Sequence, residues 1–129
     1  MTEMQSPEIS LRAVDSDDLE DVEDNPEAVL FRIRLSATPS DIWTQEFELA
    51  YRVTPYQIKP PVRVAGDALE VIFLPRYAGE LPGFVRFLAL MARRANAETR
   101  RTEEIHLSKT HEQHKAEFRQ TLRQLELPQ

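Results

Sequence analysis

VRVAGDALEVIFLPRYAGELPGFVRFLALMARRANAETRR, from Val62 to Arg101, decides the fold. Two short apolar-rich runs flank Gly66-Asp67, a dipeptide suited to the two-residue loop of a hairpin because glycine readily takes positive φ. With that loop fixed, Val64 faces Leu69, Arg63 faces Glu70 and Val62 faces Val71. Apolar meets apolar and arginine meets glutamate, so turn chemistry and alternation select one register. Pro75, Gly79, Pro82 and Gly83 then interrupt the chain, and a helix is expected over roughly Leu81 to Glu103. Phe84, Phe87, Leu88, Met91 and Ala95 share one side of it, while Arg86, Arg93, Arg94, Arg100 and Arg101 lie on the other.

Upstream, Ala28 to Ala37 alternates as a strand, with Phe31, Ile33 and Leu35 on one face and Arg32 and Arg34 on the other. Glu8 to Val14 alternates more weakly, placing Ile9, Leu11 and Ala13 together. Ser40 is the expected N-cap of a helix whose buried side is Trp43, Phe47, Ala50 and Tyr51. Three prolines between Val53 and Pro61 impose an extended path. The element order ββαββα(α) makes this α+β, about four antiparallel strands with helices packed on one face. The opposite sheet face would carry Arg12, Arg32, Arg34, Arg63 and Glu70, with Arg63–Glu70 an exposed and therefore weak ion pair.

At 129 residues the chain reads as a single α+β domain, residues 1–129. It lacks cysteine, which excludes disulfides, thiolate metal ligands and thiol nucleophiles. No apolar run reaches the ~20 residues of a membrane span, and the acidic N-terminus lacks a signal peptide's apolar centre, so a cytoplasmic protein without membrane association is expected. Charge is unevenly distributed. Residues 1–27 hold ten acidic residues against Arg12, a balance of −9; residues 28–129 hold twelve acidic and fifteen basic ones, a balance of +3, giving the net −6. The acidic segment 15–27 reads either as a mobile loop or as one helical turn capped by Asp17 with Glu20. Either form could fold back and mask an arginine surface.

A second stripe occupies the C-terminal segment 108–126 and its approach: Leu107, His111, His114, Phe118, Leu122 and Leu125. At 100° per residue it sits about 150° around from the first stripe. A helix break near 106–108 is therefore expected, with Ser108 or Thr110 as a new N-cap, and the second helix docking on its own domain. That favours a monomer; the rival is one unbroken helix whose second half serves another chain, a homodimer through the C-terminal helix.

Function classes narrow mainly by exclusion. There is no glycine-rich phosphate loop, no G-x-S-x-G elbow and no cofactor-binding motif. The acidic run fails the EF-hand pattern at Leu19. The expected outward sheet positions lack aromatics, which disfavours base stacking. His111 and His114 share a helical face at i, i+3 and are the alternative metal ligands, with Glu103 or Glu104 as a third. The expected function is a small non-enzymatic binding or adaptor protein acting through protein–protein contacts with an unknown protein partner. Two alternatives are a weak, backbone-directed nucleic-acid binder using Arg86, Arg93, Arg94, Arg100 and Arg101, and an enzyme or metal protein using the C-terminal histidines.

Overall fold

A computed structural model describes residues 7–127, apart from the side chains of residues 107–109. The order is β1 (Leu11–Asp21), β2 (Val29–Leu35), α1 (Asp41–Val53), β3 (Val62–Ala65), β4 (Ala68–Phe73), a 3₁₀ turn (Pro75–Glu80) and α2 (Leu81–Arg123). All neighbouring strands are antiparallel in the spatial order β1-β2-β4-β3. The fold is α+β.

The β3–β4 hairpin has the expected register: Val62 pairs with Val71, Arg63 with Glu70 and Val64 with Leu69. Among the described residues Gly66 alone takes positive φ, +60°, as a first hairpin-loop position with reversed handedness requires. Phe31, Ile33 and Leu35 of β2 and Leu69, Val71 and Phe73 of β4 form the inner face. Trp43 and Phe47 of α1 and Phe84, Phe87, Leu88, Met91 and Ala95 of α2 cover it. Trp43 and Phe47 stack at 5.0 Å between centroids. Ser40 caps α1 as expected, its Oγ accepting from the Trp43 N–H at 3.1 Å.

Three expectations are corrected. The first strand is longer and shifted, running Leu11–Asp21 in place of Glu8–Val14. Its register slips between Leu11, opposite Leu35, and Ala13, opposite Arg34. Such a bulge moves the following residues to the other face, so Ala13 is exposed while Ile9 is buried. The acidic residues 15–21 are therefore strand, neither loop nor helical turn. Beyond them, the Asn25 N–H donates to Val22 O and the Ala28 N–H to Asn25 O, turning the chain into β2.

The second correction concerns residues 106–108, where α2 continues as one 43-residue helix. RTEEIHLSKT contains neither proline nor glycine, and the Thr110 hydroxyl donates to the His106 carbonyl at 3.0 Å within the helix instead of capping a new one. The C-terminal stripe consequently does not dock on its own domain, the third correction. Phe118, Leu122 and Leu125 are 64%, 53% and 62% exposed.

Candidate functional site

The outer sheet face has a charged end and an apolar end. At the charged end Arg32 lies between the acidic strand and β4: its guanidinium reaches Asp18 at 2.9 Å, Glu20, and Glu70 at 2.9 Å. Arg63 grips Glu70 from the other side at 2.6 Å. Arg34 joins Asp15 at 3.5 Å and Asp67 at 3.4 Å. The acidic run thus does meet arginines, those of β2 and not those of α2. Arg12 makes no ion pair among the described residues.

Glu70 departs from the expectation of an exposed pair, being only 8% exposed. Hydrogen bonds from Arg63, supported by Arg32, hold its carboxyl below the usual carboxylate range despite the opposing effect of burial. Hydrogen bonding with Glu20, then Glu70, raises the Arg32 guanidinium further above its already high value against the cost of burial, so both remain charged. All three arginines of this network are paired, and carboxylates outnumber them five to three.

At the apolar end, Leu30 and Ile72 share a face with Arg32 and Glu70. Two adjoining hollows of about 280 and 260 Å³ meet at Pro61 and Ile72. Ile58, Pro60 and Tyr77 wall the larger, and Leu30 and Arg63 the smaller. They could receive apolar side chains. The sequence signal for this patch was the doubled apolar pairs Val29-Leu30 and Val71-Ile72, where strict alternation fails.

All five arginines of the candidate polyanion surface are exposed on α2. Two are engaged within the domain: Arg94 donates to Thr54 Oγ1 at 2.8 Å, and Arg100 reaches Glu8 Oε1 at 2.6 Å. Arg86, Arg93 and Arg101 make no ion pair among the described residues. The five are thus divided, two engaged within the domain and three making no ion pair among the described residues.

Beside this surface lies a polar junction absent from the sequence-based reading. Asn96 Oδ1 accepts from the Ile9 N–H at 2.9 Å and the Trp43 indole N–H at 2.8 Å, while Nδ2 donates to Ile9 O at 2.9 Å. One amide ties the segment before β1, α1 and α2 together. Its only sequence trace is a polar residue beside buried Ala95.

From Glu104 to Arg123 the helix continues for about 30 Å at 1.5 Å per residue. Phe118 and Leu122 share one exposed side with His111 and His114; Leu125 follows just past the helix end, and Leu107 lies among the side chains not described. Among the described residues no three His, Asp or Glu side chains converge to hold a metal. Nor is any described helix long and apolar enough to cross a membrane. No family model, curated protein or solved structure matches the chain.

Proposed function

We propose that this is a non-enzymatic binding or adaptor protein acting through protein–protein contact, with the second half of α2 as its contact surface. The observation that carries this reading is the exposed apolar stripe Phe118–Leu122–Leu125 on an arm with no cover from its own domain. Burying a large apolar side chain contributes about 1.5–3 kcal/mol, and most helical stability in proteins comes from packing an amphipathic face. A partner supplies both the cover and the order.

Nucleic-acid binding through the helix arginines draws less support, because Arg94 and Arg100 already have partners inside the domain. Affinity capture from native cells with the whole chain and its Phe118→Asp/Leu122→Asp variant tests the choice. Proteins retained by the whole chain and lost by the variant are the expected result. Identical captures, or retention of nucleic acid alone, would overturn the reading.

A further inference from the structure

The arm's charges and its angular relation to the domain half of α2 identify the partner. We infer that the stripe is covered by the same stripe of a second copy, running antiparallel, with the two-fold axis beside residues 113 and 114. The inference rests on the protein-contact reading above and names its partner.

Orientation follows from the helix itself. Phe118 lies eighteen residues beyond Arg100, which is five full turns, so the two point the same way. Arg93 and Arg86 precede Arg100 at seven-residue steps, each drifting by only about 20°. The apolar stripe is therefore the continuation of a line of arginines. A parallel, in-register pair would carry the seam from Phe118 onto three arginines facing their own copies. An antiparallel pair places the two domains at opposite ends and keeps those lines apart.

Register follows from the charges. An axis between residues 113 and 114 sets Glu104 opposite Arg123 of the second copy, Glu112 opposite its Lys115, and Ile105 opposite its Leu122. Within residues 104–123 these are the only places where charge meets charge in that alignment, and both join acid to base. At 100° per residue all six lie to the same side of Phe118: Glu104, Leu122 and Lys115 at about 40–60°, and Glu112, Ile105 and Arg123 at about 120–140°. Each pair therefore joins a residue beside the seam of one copy to one on the outer flank of the other. With Phe118 and Leu122 and little else apolar in the seam, the dimer dissociates on dilution and does not reach the area of an obligate interface.

Light scattering and sedimentation of the full chain over a concentration series test this. The wild type is expected to pass from monomer to dimer as concentration rises. Glu104→Arg sets arginine against Arg123 of the second copy and weakens the dimer about tenfold, counting two symmetric pairs. Adding Arg123→Glu restores it. Residues 104 and 123 are about 28 Å apart along one helix, so only a second copy explains such a rescue. The cysteine-free chain permits a second readout: His114→Cys, beside the axis, forms a disulfide-linked dimer, whereas Leu122→Cys does not. Cross-linking of Leu122→Cys, absence of rescue, or a wild type monomeric throughout would overturn the inference. If the chain is monomeric yet its captured proteins still depend on Phe118 and Leu122, the second copy is wrong and the protein-contact reading stands; stripe-independent captures remove both.

Discussion

The two halves of α2 are one uninterrupted helix in different surroundings. Between Leu81 and Glu103, Phe84, Leu88, Met91 and Ala95 are fully buried against the sheet and α1. Between Glu104 and Arg123, no described residue is buried, and the large apolar groups that remain are more than half exposed or close to it. Backbone hydrogen bonding makes both halves helix, but only the first is held by its own chain. Helical continuity and domain membership are separate properties, set respectively by the absence of proline and glycine and by which side carries the apolar stripe.

The largest effect that would sharpen this contrast belongs to the domain half. Leu88→Ala should cost about 2–5 kcal/mol in urea unfolding, because its site is fully enclosed. Asn96→Ala should follow at about 2–4 kcal/mol, since the Ile9 N–H and C=O and the Trp43 indole N–H all lose a partner. Asn96→Asp keeps the two acceptor contacts but sets a carboxylate oxygen against the Ile9 carbonyl in place of a donor, so it too should be less stable than wild type in the same unfolding curves.

Glu70→Gln should cost about 1–3 kcal/mol, by weakening charge-assisted bonds at a buried position. Because the folded carboxyl titrates below its unfolded value of ~4.3, its stabilisation is present above that value and is lost as pH falls through the folded one. The wild type should therefore lose more stability than Glu70→Gln on acidification from neutral pH towards pH 2, as measured by urea midpoints. Smallest of all, Phe118→Asp should change the unfolding free energy of the dilute chain by less than ~0.5 kcal/mol, as an exposed substitution does. A loss comparable with Leu88→Ala would mean that the arm packs on its own domain.

The same contrast explains what the sequence disclosed. The β3–β4 register was legible because Gly66 and the alternation around it independently demanded one pairing. The core side of α2 was legible from Phe84 to Ala95 for a similar reason: one period and one neighbouring sheet. The first strand was not, since the bulge after Leu11 reverses the faces and the acids' partners sit on β2. Individually, Arg32 and Asp18 look like solvated charges; the pairing register makes them neighbours. The turn of the stripe near residue 107 was visible, but a change of face implies a change of direction only if every apolar residue must serve one core. The C-terminal stripe was legible as a stripe, but Phe118, Leu122 and Leu125 are exposed and do not dock on their own domain as expected.

Hydrogen exchange across α2 at two protein concentrations tests the division of the helix most directly. Amides from Phe84 to Thr99 should be strongly protected and indifferent to concentration, as part of the folded core. Those from Ile105 to Arg123 should exchange rapidly in dilute solution and gain protection as concentration rises and a second copy covers the stripe. Equal, concentration-independent protection over both halves would contradict the account.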